Sequence, residues 1–267
     1  MSGLFARERI ARLRSKQDTY FWSIVFARPL AILLLVLVAD VRLVTPNLLT
    51  LISAASQLAA AALVWPAAWG GADLDPVLRT WLAVGLLQAA LVLDCMDGAL
   101  ARYRGTTSNF GSFLDKITDR IGILALLPAL GLAAYEITGE LRYVLLGGVL
   151  PAVSGLSGYA KWLAGVHILA ATGDRSAFAD PDIVPPPERR LCDWARYLLG
   201  HSWRLLRVSE IDLPLWASVA LVLQLCRPGG IDWLPWVLWY IAAWFLVTTV
   251  ERVIHRGRSV ARLDRRG

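Results

Sequence analysis

The sequence predicts an all-α integral membrane protein: six transmembrane helices preceded by an N-terminal interfacial amphipathic helix. Three observations predict it. The 267 residues are 57% hydrophobic and 18% charged, against about half and about a quarter in soluble domains, and mean hydropathy is +0.53. Six apolar stretches approach the roughly 20 residues that a bilayer crossing takes. The formal charge of +6 is gathered at the two ends. Arg7, Arg9, Arg12, Arg14 and Lys16 face only Glu8 at one end. Arg252, Arg256, Arg258, Arg262, Arg265 and Arg266 face only Asp264 at the other. Such a chain is not disordered, fibrous or disulfide-stapled. Basic ends on so apolar a protein point to anionic lipid and topology rather than to nucleic acid.

The first apolar run, 30–39, is too short to cross. Arg28-Pro29, which interrupts the apolar run, precedes it and Asp40 and Arg42 follow, so it reads as an interfacial or half-inserted helix. The six spans are predicted at 46–66, 77–103, 108–135, 140–170, 211–227 and 232–254, the fifth being the shortest. Six crossings place both basic ends on one side, which the positive-inside rule makes cytoplasmic. Residues 1–45 are then a cytosolic or interfacial segment, and 171–210, with Pro185-Pro186-Pro187, a cytosolic loop carrying a short helix over 189–200. All of it forms one membrane-embedded domain, 1–267. Cys95, Cys192 and Cys226 are scattered without a CxxC pair, which supports neither a zinc site nor a disulfide framework. Gly147-Gly148, Pro151 and Gly155 read equally as close helix contacts or as ordinary membrane-helix residues.

Chemistry concentrates at one turn. An apolar run ends in Asp94-Cys95-Met96-Asp97-Gly98-Ala99-Leu100-Ala101-Arg102, and Gly111, Asp115 and Asp119 follow before the next run. Asp94 and Asp97 lie about 60° apart on a helix, and Gly111, Asp115 and Asp119 step by about 40° each. An antiparallel hairpin would converge all four carboxylates. A charged Asp at membrane depth costs roughly 2.5–3.5 kcal/mol, so four together need compensation. Arg102, Lys116 and Arg120 are near, but two divalent cations would neutralise the set, and all-oxygen sites suit Mg2+ or Mn2+. Two such ions form a clamp suited to phosphoryl chemistry. Gly98, Ala101 and Gly111 leave room for a flat nucleotide, and Arg102 suits a phosphate. A cation- or proton-coupled transporter is the other class that buried acids suggest, but such sites lie near the midplane and often within inverted repeats, and no repeat is visible here.

The spacing D-x2-D-G-x2-A-R-x8-G-x3-D-x3-D, met in full by Asp94, Asp97, Gly98, Ala101, Arg102, Gly111, Asp115 and Asp119, resembles the signature of the CDP-alcohol phosphotransferases, also called CDP-alcohol phosphatidyltransferases. Thr45-Pro46-Asn47-Leu48-Leu49-Thr50 resembles the family's entry to its first membrane helix. The resemblance implies six membrane helices behind an interfacial helix, a homodimer, and transfer of a phospho-alcohol group from a CDP-linked donor to an acceptor hydroxyl with release of CMP. It implies that Asp94, Asp97, Asp115 and Asp119 hold two divalent ions and that Asp119 is also the base. Gly98, Ala101, Arg102 and Gly111 would line the nucleotide site, with Asn47 and Thr50. The donor is expected to be CDP-diacylglycerol and the acceptor a small polar alcohol. The alternative is a CDP-linked small alcohol passed to a lipid or polyol-phosphate acceptor. His201, Arg204, Arg207, Lys161 and Arg142 are candidates for an acceptor phosphate, Arg142 the poorest because it is predicted outside. The site would face the cytoplasm from the inner membrane. Lys116 and Arg120 are placed to tune the charge of the acids beside them, and Lys116 reads slightly better as a snorkelling interfacial lysine.

Overall fold

The computed structural model describes residues 7–13, 22–67, 73–173, 178, 191–201, 204 and 206–264. Among them there is no strand. In chain order the α-helices are α1 (Arg7–Leu13), α2 (Arg28–Val38), α3 (Pro46–Val64), α4 (Pro76–Arg104), α5 (Asn109–Thr138), α6 (Arg142–Thr172), α7 (Leu191–His201), α8 (Leu213–Cys226) and α9 (Trp233–Asp264).

The ends of the long helices are written in the sequence. Thr45 caps α3 by accepting from the Leu48 N–H at 3.2 Å, Asp75 caps α4 through Leu78 at 3.0 Å, and Ser108 caps α5 through Gly111 at 3.0 Å. Pro46 and Pro76 open α3 and α4, where the missing N–H costs nothing. Gly105 ends α4 with φ +66°, a backbone state that glycine adopts without strain. Four residues, 105–108, then separate α4 from α5. That short link makes the two helices antiparallel neighbours.

Five of the described helices, α3, α4, α5, α6 and α9, are long and apolar enough to cross a membrane. α8 is apolar but has 14 residues, which is below the length of a straight span. The expected six crossings therefore come down to five long helices plus this shorter one. α8 is nonetheless fastened inside the bundle. Gln88 of α4 donates to Ser218 Oγ at 2.9 Å and to the Pro214 carbonyl at 3.3 Å, and accepts from Trp22 Nε1 at 3.1 Å. One amide thus joins the N-terminal segment, α4 and α8.

The interruption of the apolar run at Arg28-Pro29 is not an interruption of the helix. A π-helical turn, Ser23–Ala27, runs directly into α2, with the Arg28 N–H bonded to the Ser23 carbonyl. The wider i→i−5 turn admits the proline ring, which a regular α-helical turn would not. The apolar helical stretch is therefore Ser23–Val38, longer than 30–39.

Among the described residues, two large buried clusters hold the fold. One joins Leu127 and Leu130 of α5 to Leu213 of α8 and Leu234, Leu238 and Ile241 of α9. The other packs Leu35 and Val36 of α2 on Leu91, Val92 and Leu100 of α4. α5 and α6 cross at Gly131 and Gly147: a β-carbon at Gly147 would lie 2.7 Å from the Leu127 carbonyl oxygen and 3.0 Å from the Gly131 α-carbon. Gly147 is thus a close-approach residue, while Gly148 and Gly155 face open space. Polar bonds join α6 to α9, from Arg252 to Ser157 Oγ at 2.9 Å and from Thr249 to the Val153 carbonyl at 3.2 Å.

Candidate active site

The α4–α5 hairpin brings the acids together. Asp94, Asp97 and Asp115 each present a carboxylate oxygen, and the three oxygens lie within 4.8 Å of one another. Asp119 lies one turn further along α5, outside that tight group, with Oδ2 3.9 Å from Lys116 Nζ. Asp97 is the most enclosed of the four, 7% exposed. It accepts from Thr50 Oγ1 of α3 and from its neighbour, the Gly98 N–H. The helix carrying the resemblance to the family's entry segment therefore touches the acid cluster directly.

Lys116 is 71% exposed along its side chain and still meets the acids with its ammonium. Its ammonium lies 2.5 Å from Asp115 Oδ2 as well as near Asp119. That one ammonium is thus within 4.0 Å of two of the carboxylates. A single charge against four acids leaves strong repulsion, which is the electrostatic demand that divalent ions meet. The donor set fits them, since it is made of carboxylate oxygens without nitrogen or sulfur.

The small residues line the approach. Arg102 folds back along its own helix so that a β-carbon at Gly98 would lie 3.1 Å from its Nη1. Ala101 sits where α4 closes, its carbonyl accepting from the Thr106 N–H at 2.9 Å. At Gly111 a β-carbon would meet Ser108 Oγ at 3.1 Å and Asn47 Oδ1 at 3.4 Å. Asn47 is therefore beside Gly111, and Thr50 beside Asp97, on one face of α3.

Of the acceptor-phosphate candidates, Arg142 is at the end of α6 remote from the acids, paired with Glu140 and 5.2 Å from the Tyr143 ring centre. Arg207 is bound to Glu251 at 2.8 Å. Lys161 lies on α6 and Arg204 between α7 and α8, and the side chain of His201 lies outside the described residues.

Three contacts were not foreseen from sequence. Arg120, next to Asp119, is bound in two-pronged fashion to Glu210 at 3.0 and 2.8 Å, and both meet Ser154 of α6. Arg120 lies over Gly158, where a β-carbon would overlap its guanidinium. The spacing of Ser154 and Gly158, one turn apart on α6, was the available signal. Arg104 donates to the carbonyls of Ala39, Val41 and Val44, gathering the α2–α3 link. Gln57 of α3 packs onto Gly122 of α5.

Comparison with known proteins agrees with this geometry. Residues 43–170 match the CDP-alcohol phosphatidyltransferase family model, a range that contains α3, the hairpin and most of α6. The chain is 29% identical over 220 residues to a phosphatidylinositol phosphate synthase of Corynebacterium glutamicum, covering 81% of this chain and 79% of that one. It is 28% identical to a phosphatidylinositol phosphate synthase of Mycobacteroides abscessus, covering 88% and 94%. Over 82 residues it is 43% identical to an archaetidylinositol phosphate synthase of Aeropyrum pernix, covering 28% and 34%. With its acids placed at one hairpin, the chain carries the match to the CDP-alcohol phosphatidyltransferase family over residues 43–170, the stretch that builds this site.

Proposed function

We propose that this protein transfers a phosphatidyl group from CDP-diacylglycerol to the hydroxyl of a small polar alcohol and releases CMP. The observation that carries the reading is the meeting of Asp94, Asp97 and Asp115 within 4.8 Å at the end of an antiparallel hairpin. The names of the relatives add a phosphorylated inositol on the acceptor side, from which we take only the class, a small polyol or its phosphate.

Asp94, Asp97 and Asp115, with Asp119, would hold two Mg2+ or Mn2+ ions. When bound, the ions supply positive charge to the pyrophosphate and its leaving nucleotide. The protein's own part is positional. Thr50 fixes one Asp97 oxygen and so the direction in which that carboxylate points. Gly98, Ala101 and Gly111 keep the hairpin wall low where cytidine would lie, with Arg102 and Asn47 at its edge. Asp119, one turn from the tight group, takes the acceptor proton as the new ester bond forms, and Lys116 limits the repulsion that Asp119 meets from Asp115.

The reading extends to topology and assembly. It has one domain, with α8 completing six crossings, both basic ends and the active site at the cytoplasmic face of the inner membrane, and a homodimer in the bilayer. The test is CMP release by the purified protein from CDP-dioleoylglycerol with Mg2+, against a panel of inositol phosphate, glycerol phosphate, inositol and serine. One acceptor should drive release, and chelator should abolish it. A folded protein that releases CMP with none of them overturns the assignment.

A further inference from the structure

Along α3, three polar side chains follow Thr50 before the helix ends: Ser53, Ser56 and Gln57. Ser53 donates to the Ala90 carbonyl at 2.8 Å and Ser56 to the Ile52 carbonyl at 2.8 Å. Gln57 makes no hydrogen bond among the described residues. Its side-chain oxygen instead rests against Gly122, where any β-carbon would overlap it. The amide is only partly covered, and it sits on a helix long and apolar enough to cross the membrane. Hydrocarbon offers no partner to such a group, so leaving it unmatched is costly.

The depth of Gln57 is fixed by α5. α3 and α5 run side by side in one direction, Asn47 beside Gly111 and Gln57 beside Gly122. Asp115 and Asp119 fall between these two contacts. Gly122 is three residues beyond Asp119, hence about 4.5 Å deeper. A glycerolipid whose bridging phosphate lies at the acids carries its ester carbonyls a few bonds further toward its acyl chains. Those carbonyls reach the level of Gln57. They are also the hydrogen-bond acceptors that a diacylglycerol brings to that depth.

We propose that the Gln57 amide donates a hydrogen bond to an ester carbonyl of the lipid donor, so that the site favours ester-linked over ether-linked CDP-lipids. This rests on the lipid-donor reading above and names the linkage that reading leaves open. Gly122 is part of the same device, because the Gln57 side chain occupies the room its missing β-carbon leaves.

The experiment measures binding of CDP, CDP-dioleoylglycerol and a CDP-dialkylglycerol of equal chain length to the purified protein and to Gln57→Leu. The unaltered protein should bind the ester donor about 5- to 10-fold more tightly than the ether donor, the worth of one neutral hydrogen bond. Gln57→Leu should lose that preference by weakening the ester donor alone, with CDP binding unchanged. Equal affinity of the unaltered protein for both lipids overturns the inference, and so does a preference that survives in Gln57→Leu. If the unaltered protein binds CDP but neither lipid, the lipid-donor reading itself fails and takes this inference with it. The comparison within the unaltered protein stands even if the variant does not fold.

Discussion

Arg120 Nη2 lies 2.8 Å from Glu210 Oε2, across 90 positions of sequence, and Ser154 Oγ closes the group at 2.9 Å from Glu210. The pair ties the residues leading into α8 to the turn of α5 that carries Asp119. Both side chains are about a third exposed, so solvent screens part of the attraction. A double-mutant cycle with Arg120→Met and Glu210→Gln should give a coupling of about 1 kcal/mol. A coupling near zero would show that the segment before α8 is held by packing alone.

Chelation should abolish activity, and Mg2+ or Mn2+ should restore it where Zn2+ does not, because the acids offer oxygen donors alone. A titration of CMP release against free metal checks this. Full turnover in chelator would remove the basis for the two-ion site.

Asp119→Asn should lower turnover by about 10²–10⁴-fold while CDP binding is retained, since the amide cannot take the acceptor proton. Asp97→Asn should act differently. It belongs to the tight group of three, so its loss should appear first as weaker metal binding. Titrating metal for each variant separates the two. Near-normal turnover in Asp119→Asn would exclude it as the base.

Thr50→Val removes the hydroxyl that bonds Asp97. Partners that orient a ligating carboxylate are typically worth about 10–100-fold in metal affinity or activity. The metal midpoint should rise accordingly, and Thr50→Ser should restore it. An unchanged midpoint in Thr50→Val would mean that Asp97 is oriented by its own helix.

Arg104 satisfies carbonyls from Ala39, Val41 and Val44. Arg104→Ala should lower stability by roughly 1–3 kcal/mol, because hydrogen bonds from a charged donor are lost and acceptors are left unmatched. Lysine carries the charge but not the planar fork, so Arg104→Lys should recover only part. Thermal unfolding in one detergent compares all three proteins.

The sequence by itself determined the membrane class, the caps that begin α3, α4 and α5, the reversal at Gly105 and the spacing of the four acids. Caps and glycine turns act within a few residues, and helical periodicity acts within one helix, so both are visible in a linear string. Spacing also foretold that the acids converge once the hairpin closes. What only the tertiary structure decided are the partners. Arg120 went to Glu210, Arg104 to the carbonyls of the α2–α3 link, and Gln57 to the gap at Gly122. Each of those pairings joins groups 60 or more residues apart, and which charge meets which is settled by how helices pack. α8 shows the same limit: its 14 residues do not decide by length how it sits, whereas the bonds from Gln88 to Pro214 and Ser218 do. The continuous helix through Pro29 is the reverse case. Composition marks Arg28-Pro29 as an interruption of the apolar run, while a π turn carries the helix through it, with Ala27, Ala31 and Leu35 buried in the cluster shared with α4.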